Sequence, residues 1–267
     1  MDIVVFIKQV PDTTEIKIDP VTGNLIREGV PSIVNPDDKH AVEAAISLKE
    51  KHSGKVTVVT MGPPQADEAL RECLAMGADQ AILLSDKAFG GADTCATSYT
   101  LSCALKKIGS YDLIICGRQA LDGNTAQVGP QIADLIGLPQ ITYAQGIEIK
   151  DSTIKVKRSL EDGYEVVETK LPVLLTVTKD INTPRTPPID AVMEAYGADI
   201  KTWTSDDLDV DKARLGLKGS PTRIKKAFTP ELKKGKVDII QADSPSAMVQ
   251  ALLAKLNEKH ILEELEG

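Results

Sequence analysis

Residues 55–84 read KVTVVTMGPPQADEALRECLAMGADQAILL, and this stretch decides the fold. Its two ends, Lys55–Met61 and Gln80–Leu84, are short apolar runs of the kind that form strands. Between them, Gln65–Met76 carries a helical pattern about three turns long. A strand, a helix and a second strand at this spacing make a right-handed crossover within a parallel sheet. Working outward, the same alternation recurs on both sides. Upstream, Ile3–Ile7 reads as a strand and Ile16–Ile26 as a hairpin turning around Asp19–Gly23. Asn35-Pro36-Asp37-Asp38 then opens a helix, with Asn as N-cap, Pro at the first helical position and acids in the first turn. Its apolar positions Ala41, Ala44, Ala45 and Leu48 keep helical spacing. Downstream come a helix at Thr94–Ile108, a strand at Leu113–Cys116 and a helix at Thr125–Ile136.

The second half changes character. Ile147–Ile149, Ile154–Arg158 and Tyr164–Lys170 alternate as antiparallel strands do, with a tight turn at Glu161-Asp162-Gly163. The apolar run Val173–Val177 follows Pro172 as a further strand. From Lys179 the sequence is loop-like, with a short helix near Asp190–Tyr196. Residues 204–236 are polar, and their basic cluster Arg223, Lys225 and Lys226 suits a solvated surface. An amphipathic helix at about Ser244–Leu265 ends the chain. The expected fold class is α/β: a mostly parallel, doubly wound sheet with antiparallel additions and a C-terminal helical arm. The expected division is an α/β domain over residues 1–203, then a polar linker and arm over residues 204–267.

Composition narrows the function. The 267 residues are 42% hydrophobic and 26% charged, as in ordinary globular proteins. A net charge of -8 argues against nucleic acid as the main partner, because phosphate backbones demand clustered cations. No apolar run reaches the length of a membrane span. The N-terminal MDIVVFIKQVPD lacks the basic region and small-residue cleavage site of a leader, and reads as a first buried strand. The four cysteines have no metal-finger or CxxC spacing; buried or semi-buried thiols in a reducing cytoplasm are expected. With only 3% aromatic residues, a bound ring system would be held mainly by backbone and small polar groups.

Ligands of such sheets bind at the carboxyl ends of the strands. Neither a GxGxxG after the first strand nor a Walker A loop is present. Instead, the strand Leu113–Cys116 runs into GRQALDGNTAQVGP, residues 117–130. A glycine-containing turn into a helix N-terminus presents N–H groups to phosphate, and Asp122, Asn124, Thr125 and Gln127 add polar side chains. The same residues would also serve an ordinary βα loop capped by Asp122 or Asn124. A second candidate is GGADTCATS, residues 90–98, where Thr94, Thr97 and Ser98 share one helical face and small residues admit a planar ligand. There the alternative is a helix start capped by Asp93. Missing altogether are a Ser–His–acid set and any metal-ligand spacing. Binding loops without acid–base machinery suit a protein whose bound cofactor does the chemistry.

Taken together and in order, IKQVPD, VNPDDKHAVEAA, VVTMGP, LAMGADQAILL, GRQALDGNTAQVGP and VKRSLEDGYEVVETKLPVLLTV resemble the β subunit of electron transfer flavoproteins. The resemblance runs to about Met193 and more loosely to the end. It implies an αβ heterodimer whose C-terminal arm reaches over the α subunit. It also implies a nucleotide site drawn from Phe6, Ile7, Lys8, Asn35, Asp37, Met61, Asp122, Asn124, Thr125, Ala126, Gln127 and Val128. A loop after the last sheet strand would dock on an acyl-CoA dehydrogenase, here Pro184–Met193 with Pro184, Arg185 and Met193 around the anchor Ile189. The family divides into housekeeping carriers, whose β site holds AMP, and bifurcating members, whose β site holds a second FAD that takes hydride from NADH. GADTCATS is similar to the bifurcating type. It adds Gly91, Asp93, Thr94 and Thr97 to the expected FAD site, and ferredoxin or flavodoxin to the expected partners. A non-redox adenine-nucleotide module is the alternative from another class.

Overall fold

The computed structural model describes residues 1–12, 31–225 and 237–261. By contact the chain divides into two compact units, Met1–Ala227 and Phe228–Gly267. The first unit begins with β1 (Asp2–Phe6), β2 (Gln9–Pro11), β3 (Ser32–Val34), α1 (Pro36–His52), β4 (Lys55–Met61), α2 (Asp67–Met76) and β5 (Gln80–Leu84). It continues with α3 (Thr94–Ile108), β6 (Leu113–Gly117), α4 (Val128–Ile136), β7 (Gln140–Lys150), β8 (Thr153–Leu160), β9 (Gly163–Lys170) and β10 (Val173–Val177). Then come α5 (Ile189–Gly197), β11 (Lys201–Trp203) and the single turn α6 (Gly216–Gly219). The expected hairpin at 16–26 lies outside the described residues.

Nine strands form one sheet in the order β11-β5-β4-β1-β6-β10-β7-β8-β9. Pairings from β11 through to β7 are parallel, whereas β7–β8 and β8–β9 are antiparallel. This is the expected α/β sheet with antiparallel additions. The chain moves outward from β1 to β4 and β5, then returns to β6 on the other flank of β1. The order therefore reverses between β1 and β6. On β1, Ile3 and Val5 join the core covered by α1 and α2, whereas Val4 and Phe6 join the core of α3 and α4. Burial on both faces is why the strand is a continuous apolar run rather than an alternating one.

Several boundaries differ from expectation for local reasons. The helix expected at Thr125–Ile136 starts at Val128, because Asn124 (φ 49°) and Ala126 (φ 52°) hold the preceding loop in the left-handed region. β7 spans 11 residues, not three: Gln140, Ile141 and Ala144 pair in parallel with β10 before the strand turns, past a bulge, to pair with β8. The short ribbon β2–β3 and the edge strand β11 were not anticipated. Residues 204–222 pack back on the helices and loops of the sheet. The N–H and Oγ of Ser205 donate to Asp86 Oδ2 at 2.9 and 2.6 Å, and the Asp211 N–H donates to the Tyr99 hydroxyl at 2.8 Å.

In the second unit, α7 (Pro245–Glu258) starts at Ser244, whose hydroxyl accepts from the Ala247 N–H at 3.2 Å. It buries no residue and exposes Met248, Val249, Leu252 and Leu253. The end of the expected helix beyond Ile261 lies outside the described residues. No described helix is long and apolar enough to cross a membrane.

Candidate functional site

The switch point gathers the ends of β1 and β6, the start of α1 and the loop from Gly117 to Val128. Asn35 occupies the N-cap position of α1, but its side chain does not cap. Only 1% exposed, it clasps the loop instead: Nδ2 donates to the Gln119 carbonyl at 2.9 Å, and Oδ1 accepts from the Leu121 N–H at 2.9 Å. The expected side-chain cap is thus corrected, because the loop backbone competes for the same amide.

Asp38 sits next to it in the first turn and is 6% exposed. Its Oδ2 accepts from the Lys8 N–H at 2.8 Å and its Oδ1 from the Gly117 N–H at 3.1 Å. One carboxylate therefore joins the strand ends on either side of the reversal. Burial pushes its pKa up to about 7, against the pull of hydrogen bonds from Asn35, Lys8 and Gly117. Glycine is required at 117, since a Cβ there would collide with the Asp38 carboxylate and the backbone of Asp37. The resemblance put Asp37 in the expected site, but Asp38 was missed and read only as a helix-dipole partner. No local pattern sets it apart from a first-turn acid that faces water.

Lys8 reaches across the mouth, and its Nζ contacts Asp122 Oδ1 and Oδ2 at 2.7 and 2.8 Å. A half-exposed pair adds little to stability, but it fixes where the loop lies. Asp37 pairs with Arg118, Oδ2 to Nε at 3.4 Å. Gln119 Nε2 donates to Asn124 Oδ1 at 3.1 Å. Arg118 and Gln119 were not among the expected site residues.

The second candidate loop adjoins the first. The Thr94 hydroxyl donates to Gln127 Oε1 at 3.2 Å and accepts from Gln131 Nε2 at 3.3 Å. Ser98 is buried and donates to the Thr94 carbonyl at 2.7 Å. Asp93 caps α3 through the Ala96 N–H at 3.0 Å, while its Oδ2 accepts from the N–H and hydroxyl of Thr222 at 2.9 and 2.8 Å. Gly91 is left-handed (φ 70°) and exposed, and Thr97 is half-buried.

Not every expected residue turns a side chain to the mouth. Phe6 and Ile7 pack in the two cores, leaving only backbone there, and Met61 is half-buried at the end of β4. Asn124, Thr125 and Gln127 are exposed on the loop, whereas Ala126 and Val128 are half-buried. Three cysteines are buried as expected, but Cys95 is exposed, because it lies on the solvent side of the first turn of α3. Burial raises the thiols of Cys73 and Cys116, keeping them protonated. The described residues hold no cluster able to bind a metal.

The expected docking stretch lies on another face. Arg185 is locked in place, donating to Glu43 Oε2 at 2.9 Å and Glu50 Oε1 at 2.7 Å. Pro184 is half-buried, while Ile189 and Met193 on α5 are 81% and 72% exposed.

Of the helices following β4, β5 and β6, α2 begins with Asp67 and Glu68 and α3 is capped by Asp93. α4 has neither an acid in its first turn nor a side-chain cap. An anion at the mouth meets the least opposition there. Fold and mouth define a doubly wound α/β protein of the class whose ligand crevice lies at the switch point. Over residues 22–208 the chain matches the Electron transfer flavoprotein domain. It is 55% identical over 263 residues to the electron transfer flavoprotein subunit beta of Clostridium acetobutylicum, covering 98% of this chain and 100% of that one. The same-named subunit of Thermoanaerobacterium thermosaccharolyticum is also 55% identical over 263 residues, with 98% and 100% covered. The Caffeyl-CoA reductase-Etf complex subunit CarD of Acetobacterium woodii is 52% identical over 263 residues, again covering 98% and 100%. The chain therefore belongs to the electron transfer flavoprotein family, on the side of its β subunits.

Proposed function

We propose that this chain holds FAD in the switch-point crevice as the β subunit of an electron-bifurcating complex. The observation that carries the reading is the bond from Thr94 to Gln127, which makes the GADTCATS loop and the start of α4 one continuous surface. Phosphates have an acid-free, uncapped helix start at α4, and a planar ring has the small residues 90–97 beside it. The chemistry bound FAD supplies is acceptance of hydride from NADH, with one electron leaving for the α-subunit FAD and an acyl-CoA dehydrogenase and the other for ferredoxin or flavodoxin. This chain's own residues bind and orient. Lys8 and Asp122 hold the loop, Asn35 fixes its backbone, and the hydroxyls of Thr94 and Thr97 would serve the ring's heteroatoms as donors or acceptors. Ile189 and Met193 give the dehydrogenase an apolar face, and the arm carrying α7 gives the α subunit another. The CarD relative, named for a caffeyl-CoA reductase complex, supports an acyl-CoA dehydrogenase as the partner.

The test is a count of nucleotides extracted from the complex of this chain with its α subunit. Two FAD and no AMP per heterodimer are expected. One FAD with one AMP would replace this reading by the housekeeping carrier, and AMP without any flavin would leave the non-redox adenine-nucleotide module.

A further inference from the structure

The least explained group in the crevice is a buried acid that does not serve its own helix. Asp38 belongs to the first turn of α1, yet both its oxygens bond backbone N–H groups of other elements, Lys8 beyond β1 and Gly117 in β6. In a doubly wound sheet those groups and the start of the first helix are the natural seat of a phosphate. Here a carboxylate of the chain already sits there, with Asp37 beside it. The residue at 117 cannot be larger than glycine without striking that carboxylate.

We infer that Asp38 is the positioning residue of the crevice: its side chain is a fixed clasp that ties β1 to β6, occupies the N–H groups beside α1 and so leaves the start of α4 to the phosphates of a bound nucleotide. The inference rests on the reading of this crevice as a nucleotide site. Asp38 acts through its neighbours. It holds the Lys8 backbone, from which the Lys8 ammonium reaches Asp122 in the loop that leads into α4. On the other side it fixes Gly117, where that loop begins. The spacing of the strand ends and the lie of the loop thus depend on one group. An amide would keep one of its two bonds and set its own N–H against the other N–H.

The experiment uses the complex of the full chain with its α subunit, stripped of nucleotide and titrated with FAD and, separately, with AMP. Asp38→Asn and Asp38→Ala are each expected to weaken binding of the nucleotide that wild type retains by about tenfold or more, the effect of losing a charge-assisted bond. Added formate is expected to recover most of the affinity of Asp38→Ala and to leave wild type unchanged. A general loss of structure would not respond to a small carboxylate in that way. Binding within about twofold of wild type in both variants overturns the assignment. So does a loss in Asp38→Ala that formate leaves untouched while Asp38→Asn binds like wild type. If Asp38→Ala does not fold, the isosteric Asp38→Asn decides alone. A wild-type complex that binds neither FAD nor AMP defeats the nucleotide reading itself, an outcome distinct from either of these.

Discussion

At the scale of single residues, the crevice is built by side chains that hold backbone. Asn35 holds Gln119 and Leu121, and Asp38 holds Lys8 and Gly117. A buried carboxylate has a consequence that can be measured as stability against pH. Around Asp38 stand Asn35 and Asp37 on its own helix, the N–H of Lys8 beyond β1, the N–H of Gly117 and the Cys116 thiol from β6, and the Cys73 thiol from α2. Burial dominates, and the pKa rises from 3.8 to about 7. Between those values the folded state binds the proton more tightly than the unfolded chain does. Stability therefore falls as pH rises through that window and levels off above it. The slope from a single proton is at most about 1.4 kcal/mol per pH unit. Urea unfolding of wild type and Asp38→Asn between about pH 5 and pH 8 should show wild type losing ground to the variant as pH rises. Parallel profiles would mean that Asp38 is ionised throughout.

At the scale of elements, close approach rather than polarity sets the next test. Gly129 lies in the first turn of α4, and a Cβ there would come within 2.7 Å of Thr176 Cγ2 on β10. Thr176 cannot easily turn aside, because its hydroxyl accepts from the Tyr143 N–H at 3.1 Å. Gly129→Ala should therefore lift α4 from the sheet and cost about 1–3 kcal/mol, read as a lower denaturant midpoint. An unchanged midpoint would show that the helix has room to shift. The face of α5 makes the opposite case: Ile189 is exposed and touches no core, so Ile189→Asp should leave the midpoint within about 0.5 kcal/mol of wild type. Electron transfer to an acyl-CoA dehydrogenase should nevertheless drop by about tenfold, the cost of losing one apolar anchor; an unaltered rate would remove this face from the docking surface. The elements themselves were readable where apolar runs alternated with helical patterns, as in β1, β4, β5, β6 and α1 to α3. What escaped was decided by tertiary partners. The parallel half of β7 depends on β10, and β11 on β5, neither of which leaves a local pattern. In the same way, the loops of the candidate site could be located from their polar residues. Asp38 could not be singled out, because a first-turn acid looks the same whether it faces water or two strand ends.

At the scale of the whole molecule, apolar surface is divided unevenly. The first unit encloses two cores, one on each face of the sheet, and its helices α1 to α4 each bury residues against it. In the second unit α7 buries nothing, and Val249, Leu252 and Leu253 are 56%, 46% and 45% exposed. Apolar residues repeating along one helix and left uncovered mark a surface made for another protein. The units should therefore separate by function. Among the described residues neither core draws on 228–267, so the chain remaining after their removal should keep its circular dichroism and slow-exchanging amides in β1, β4 and β6. It should fail to retain the α subunit when the two are co-expressed and purified through a tag on this chain. Milder changes test the same point without deletion: Leu252→Asp with Leu253→Asp should weaken subunit association while leaving the melting of the first unit unchanged. If the truncated chain still carries the α subunit at full yield, the apolar face of α7 is not the contact, and the exposed faces of β8 and β9, where Tyr164 and Val166 are each 59% exposed, become the surface to examine.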